Sequence, residues 1–235
     1  MLRRDLPVIL FSAAYMVVFV GLSLTRQNYE FILYAAVVVA LAAWILYKQR
    51  TVQFDSVTLW GLSLWGLLHM AGGNLRVGGG VLYNLQLIPV VLRYDQLVHA
   101  FGFGTATLAC FHILRGMLRP DIVAPPAFRE RDMGVTASHS PSPLGRGAGV
   151  RAGLDARPGC PGRFTLTILV ILMGCGVGAI NEIVEFIAVK LMPETNVGGY
   201  ENTLWDLVFN LLGATVAATW ASTSRFETRA TAPIS

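Results

Sequence analysis

The feature that most limits what this chain can fold into is the apolar run from Phe164 to Met192, with Asn181-Glu182-Ile183-Val184-Glu185 inside it. A segment of this length and polarity is fit to cross a bilayer. Acids in such a segment are costly, so they face a protein interior or a water-filled cavity rather than lipid. At helical spacing Glu182 and Glu185 share a face. Gly174 and Gly178 continue that face and let a neighbouring helix approach closely. The helix is therefore expected to be packed at one end and polar at the other, and the rest of the chain must supply what the glutamates face.

The whole chain has the same character. It is 54% hydrophobic and only 14% charged, with a mean hydropathy of +0.57. That balance fits a polytopic membrane protein rather than a soluble domain. The net charge of +4 is small and reads as loop arginines setting orientation, not as a nucleic-acid footprint. Cys110, Cys160 and Cys175 are scattered without paired spacing, which suggests neither a disulfide framework nor a zinc site. The first apolar run follows Arg3 and Arg4 as a signal peptide would. It is longer than an h-region and lacks a small-residue cleavage site, so it reads as a helix.

Taken in order, the chain holds about six spans: Leu6–Leu24, Tyr29–Tyr47, Val57–Ala71, Gln96–Leu118, Phe164–Met192 and Leu204–Ser222. Asp55 or Ser56 is the expected N-cap of the third. Gly72–Leu92 is glycine-rich and carries Pro89, too short to cross and return, and reads as a re-entrant or interfacial cap. Residues 120–162, with the Pro, Gly, Ser and Arg of Ser140 to Arg151, have the composition of a disordered cytoplasmic linker. Residues 1–222 thus form one all-α transmembrane domain carrying that insertion, and 223–235 a disordered tail. With the N-terminus in the cytoplasm, only Arg26, Arg76, Arg93 and Lys190 fall outside, so both termini are expected inside.

That orientation brings the polar intramembrane residues to one depth. His69 ends the third helix, Asp95 and His99 open the fourth, Asn181, Glu182 and Glu185 sit near the end of the fifth, and Asn202, Asp206 and Asn210 open the sixth. All are expected within roughly 15 Å of the outer boundary. Asp95 and His99 share a helix face, as do Asn202, Asp206 and Asn210, with Gly213 extending the latter. His112 falls near the other end of its helix, on a different face from His99. Each residue has a bland reading beside this one: His69 as a hydrogen-bonded anchor, Asp95 as a helix-start acid, Asp206 beside Trp205 as an interfacial acid. Convergence of four helices raises the joint reading above its parts.

Imidazole and several carboxylates suit a divalent metal such as Mg, Mn or Zn. They equally suit acid–base chemistry or proton relay through paired carboxylates. The candidate catalytic groups are Glu182, Glu185, Asp95 and His99, which are also the candidate metal ligands. His69, Asn181, Asp206 and Asn210 are the candidate substrate-binding residues, and a divalent metal is the candidate cofactor. No His-Glu-x-x-His, Gly-x-Ser-x-Gly, P-loop or dinucleotide fingerprint occurs.

The combination of His69-Met-Ala-Gly-Gly73, Arg93-Tyr-Asp95-Gln-Leu-Val-His99, Asn181-Glu-Ile-Val-Glu185 and Trp205-Asp206-Leu-Val-Phe-Asn210-Leu-Leu-Gly213-Ala214 resembles the YjdF-like family of bacterial integral membrane proteins, a domain of unknown function. More remotely, the order Asp-x-x-x-His, buried Glu, Asp-x-x-x-Asn-x-x-Gly is similar to VanZ-like membrane proteins. The resemblance covers the third helix to the sixth and implies a multi-pass protein of the bacterial inner membrane, with no established activity. The chain departs from the family pattern at Asn202, where an acid is usual, and in the length of its 120–162 loop.

Three functions therefore compete: an enzyme or binder acting on a lipid headgroup or other polar group at the outer leaflet, an ion- or proton-coupled transporter, and an accessory protein whose polar cluster pins its helices. The expected partner is membrane lipid; no nucleic acid is expected, and no protein partner is assigned.

Overall fold

Backbone groups in hydrocarbon must bond within their own segment, so each long apolar run closes into a helix. The computed structural model describes residues 3–118 and 163–224. Within them lie six α-helices: α1 Leu6–Thr25, α2 Tyr29–Val52, α3 Ser56–Asn74, α4 Tyr94–Met117, α5 Arg163–Leu191 and α6 Tyr200–Ser224. The linker expected at 120–162 lies outside the described residues, as does the expected tail 223–235 apart from Thr223 and Ser224, which continue α6 instead.

The helix starts follow local chemistry. Asn28 caps α2, its side-chain oxygen accepting from the Phe31 N–H at 3.3 Å. Asp55 caps α3, accepting from the Thr58 N–H at 2.9 Å. Gln96 turns back to accept from the Arg93 N–H at 2.8 Å and closes the first turn of α4.

α1, α2, α4, α5 and α6 are long and apolar enough to cross a membrane. α3 is not among them, although the sequence suggests a sixth span there. Its serines, glycines, His69 and Asn74 lower its hydropathy, and it tolerates them because it packs on α1 and α4, with Thr58, Ser63 and Asn74 buried.

Side-chain contacts fix which ends meet. At one end Gln49 of α2 donates to Asp5, which precedes α1, and accepts from the Phe54 N–H at 2.7 Å. His112 of α4 reaches Asp55 at that same end, 3.4 Å away. At the other end Ser23 of α1 donates to Asn74 of α3 at 2.9 Å, while Arg26 donates to the Asn74 carbonyl. The helices thus alternate in direction through the bundle.

Between α3 and α4 the expected cap is present, built from two short antiparallel hairpins rather than a re-entrant helix. β1 Arg76–Val77 pairs with β2 Gly80–Val81, and β3 Gln86–Ile88 with β4 Leu92–Arg93. Gly78 and Gly79 turn the first hairpin at φ of +61° and +88°, which a two-residue loop with this twist requires. The end carrying these hairpins is called the cap end below.

Candidate functional site

Close helix approach builds the site. A side chain at Gly213 of α6 would overlap the Ala100 carbonyl of α4, and the Gly213 carbonyl lies 3.2 Å from where one on Gly104 would sit. Across the next seam Gly178 of α5 leaves room for Asn210 of α6, and Gly174 for Thr107 of α4. Three helices therefore meet without bulky spacers, just below the cap end.

His99, nearly buried, stands at their meeting point. Its Nδ1 lies 3.1 Å from Asn210 Oδ1, an acceptor, so Nδ1 is the donor of this pair, and in the neutral ring Nε2 then presents its lone pair. Nε2 faces carboxylate oxygens from all three helices: Asp95 at 3.5 Å, Glu185 at 3.9 Å and Asp206 at 3.9 Å. Glu182 comes within 3.8 Å of Nδ1.

The amides hold these acids apart and in place. Asn202 donates from one nitrogen to Asp206 at 2.7 Å and to Asp95 at 3.2 Å, while its oxygen accepts from Arg93 at 3.3 Å. An acid at position 202 would put a further carboxylate between two others; the amide supplies donors to both. Asn181 donates to Glu185 at 2.8 Å along α5.

Not every buried oxygen is satisfied. Among the described residues, both oxygens of Glu182, Oδ1 of Asp206 and the Asn210 amide nitrogen have no hydrogen-bond partner. The Asp206 side chain is 1% exposed. A buried carboxylate oxygen without a donor is expensive, and four carboxylates around one imidazole call for positive charge. Donor atoms of Asp95, His99 and Asp206, and of His99, Glu182 and Glu185, form two overlapping sets, each lying within 4.8 Å. The three distances from Nε2 also fall inside the ~4.2 Å that two donors can span when each sits ~2.1 Å from one small divalent ion.

Asp95 and Glu185 also form part of the wall of a cavity of about 1030 Å³, bounded by the cap, α2, α3 and the α5–α6 connection. The rim includes Arg93 and the exposed hairpin tip Val90. Asn196, in that connection, donates from its backbone and side chain to Glu30 of α2 at 2.8 and 3.0 Å.

Of the residues singled out from the sequence, Asp95, His99, Asn181, Glu182, Glu185, Asp206 and Asn210 come together. His69 does not join them. It lines the cavity, where Tyr83 of the cap lies 2.5 Å from its Nδ1 and donates to its carbonyl at 3.1 Å. Burial, reinforced by the charge of Asp95, holds the Tyr83 phenol well above its ordinary pKa, so it stays a donor. Tyr83, Glu30 and Asn196 are site or rim residues that sequence reasoning missed, and Arg93 entered it only as an outer-side charge and the start of the Arg93-to-His99 motif; each acts through a partner distant in the chain. Asn202 was visible by spacing, but not as a bridge.

A family model described as predicted membrane protein (DUF2238) matches residues 7–226. No curated protein and no solved structure matches the chain, and the more remote VanZ-like likeness finds no support in these comparisons.

Proposed function

The chain belongs to the DUF2238 family of predicted membrane proteins, and we propose that it binds a divalent cation within the His99 cluster and uses it to engage a polar headgroup at the outer leaflet of a bacterial inner membrane. In this reading His99 Nε2, Asp95, Glu185 and Asp206 hold the cation, and Glu182 is the remaining acid–base group. Asn181, Asn202 and Asn210 orient them, and His69 belongs to the headgroup's chamber. The outer location follows from the Lys and Arg bias, which leaves the cap end outside.

One observation carries the reading. The Nδ1 proton points at Asn210, so the neutral imidazole turns its Nε2 lone pair toward three carboxylate oxygens. With a cation that arrangement is a ligand set of the nitrogen and oxygen type that suits Zn, Mn or Mg; without one, protons on these groups must take the cation's place. A polar cluster that only pins helices leaves Oδ1 of Asp206 without a donor among the described residues, an atom that a bound cation would satisfy. Toward the opposite end the seam is filled by the buried side chains of Phe103, Thr107 and Ala214, which favours binding at one face over passage through the bundle.

The test is metal analysis of detergent-purified protein after exposure to Mg²⁺, Mn²⁺ and Zn²⁺, with wild type beside Asp206→Asn and His99→Ala. The expected result is about one ion per wild-type chain and a loss of at least tenfold in affinity in each variant, the effect of removing a ligand or its support. Equal, weak binding in all three would sink the reading.

A further inference from the structure

We propose that the molecule engaged at this site is an amphiphile with a phosphate-bearing headgroup and a long hydrocarbon chain, the headgroup in the cap-end cavity and the chain in a separate groove between α1, α2 and α3. The inference rests on the cation reading above and names the substrate class for it.

The groove is a second cavity, of about 410 Å³. Its walls are Met16 of α1, Val38, Ala42 and Ile45 of α2, Leu62 of α3 and Val184 of α5. The two serines that reach it are already paired: Ser12 and Ser63 hydroxyls lie 2.6 Å apart, and Ser12 also donates to the Val8 carbonyl at 2.8 Å. The surface left for an occupant is mostly hydrocarbon, which a chain can cover, with the polar side chains of Tyr34, His69 and Asn181 also on its lining.

The groove is continuous with the polar cavity. Tyr34 and His69 line both, with their rings 5.3 Å apart. Amphipathic rings of this kind suit a boundary where one side is apolar and the other wet. A molecule occupying both spaces must change from polar to apolar at this pair of residues.

The dimensions select a lipid chain. The groove follows α2 from Tyr34 to Leu46 and α3 from His69 to Leu59, a run of roughly 15–18 Å at 1.5 Å per residue. Half of a bilayer's ~30 Å hydrocarbon core is of the same length, so the groove holds one leaflet's worth of chain.

The chemistry above the boundary selects phosphate. The carboxylates alone would repel an anionic headgroup. A hard divalent ion bound by carboxylates, however, keeps positions that phosphate oxygens fill. Arg93 lines the same cavity, and its guanidinium has the fork geometry that phosphate takes. Headgroup binding should consequently depend on the cation, whereas filling of a merely greasy groove should not.

The experiment uses the full chain in dodecyl maltoside micelles, whose detergent carries no phosphate, with a phosphatidic acid carrying a photoreactive diazirine in its acyl chain and Mn²⁺ as the ion. Labelled positions are mapped by peptide mass spectrometry. The expected result is labelling at Val38, Ala42 and Leu62 at least tenfold above the outward-facing Leu172 and Val216, competed by hexadecyl phosphate but not by hexadecanol, and lost on removing Mn²⁺. Ala42→Trp or Val38→Phe, which narrow the groove away from the cation cluster, should lower groove labelling at least fivefold while Mn²⁺ binding stays unchanged and reports an intact fold. Uniform labelling of all faces, or groove labelling that survives both the narrowing variants and Mn²⁺ removal, overturns the inference. Bound Mn²⁺ with uniform labelling overturns the chain groove alone; wild-type protein that binds no Mn²⁺ overturns the cation reading on which the headgroup assignment rests.

Discussion

His99 of α4 and Asn210 of α6 face each other across a glycine-lined seam, Nδ1 to Oδ1, 3.1 Å apart. This contact decides which nitrogen of the imidazole is free, and it therefore sets what the acids around Nε2 can do.

The first expected outcome follows directly. Asn210→Leu removes the acceptor and frees the tautomer while keeping comparable bulk beside Gly178. Mn²⁺ affinity should fall about 10- to 100-fold, the cost of losing a partner that orients a metal-bound histidine. Asn210→Asp keeps an acceptor and should retain most of the affinity. Titration calorimetry or electron paramagnetic resonance of free Mn²⁺ reads both; unchanged binding in Asn210→Leu would show that the tautomer is not held from this side.

Much of this site was legible in the chain because it uses helical periodicity. Asp95 and His99 lie one turn apart, as do Asn202, Asp206 and Asn210, and intramembrane acids advertise themselves by their cost. The glycines at 174, 178 and 213 marked the seams. The parts that were not legible depend on partners distant in sequence. Asn202 reaches Asp95, and Asn196 reaches Glu30, across sequence separations of 107 and 166 residues, which no local pattern encodes. α3 is harder to read for a related reason: it carries Ser63, His69 and Asn74, which its neighbours cover, so its hydropathy falls below that of the other five helices although it runs from one end of the bundle to the other.

Asn202→Asp tests the bridge between Asp95 and Asp206. The change removes the nitrogen that donates to both and adds a carboxylate in their place. Thermal stability in detergent with chelator present should drop by about 1–3 kcal/mol, the penalty for leaving buried acceptors unpaired. Added Mn²⁺ should restore more stability to this variant than to wild type, because an extra acid raises the demand for positive charge. A melting temperature unaffected by the substitution in chelator would mean that the bridge contributes nothing.

Gly213→Ala tests whether close approach of α4 and α6 builds the site. A methyl there meets the Ala100 carbonyl, a backbone atom that cannot swing aside, whereas one at Gly116 meets nothing within 4 Å among the described residues. Gly116→Ala should be neutral or gain up to about 1 kcal/mol from helix propensity. Gly213→Ala should instead lose about 1–3 kcal/mol through overpacking and weaken Mn²⁺ binding as His99 and Asn210 separate. Equal melting temperatures for the two variants would contradict the seam.

Tyr83→Phe separates the cavity wall from the cation cluster. It deletes a hydroxyl that contacts the His69 ring and carbonyl, and none of the groups around His99. Stability should fall by about 0.5–1.5 kcal/mol, the net worth of such a bond, with Mn²⁺ affinity within twofold of wild type. A tenfold loss of affinity would place His69 among the ligands instead.

Ion removal distinguishes a binding cluster from one that only holds helices together. An ion that binds the folded bundle alone stabilises it by mass action, about 2.7 kcal/mol at a hundredfold excess over Kd. The melting temperature of wild type should thus climb continuously with Mn²⁺ and return to its starting value with chelator. Asp206→Asn keeps the shape of a side chain that is 1% exposed, with one oxygen lacking a donor among the described residues, but leaves it unable to carry charge. Neutralising it relieves repulsion within the cluster, so in chelator this variant should melt no lower than wild type, yet show no rise with Mn²⁺. A cluster whose purpose is packing gives the opposite pattern, with wild type insensitive to Mn²⁺ and the variant destabilised under every condition. The sign of the difference in chelator, read together with the slope against Mn²⁺, therefore assigns the buried acids to ion binding or to helix packing in a single set of melting curves.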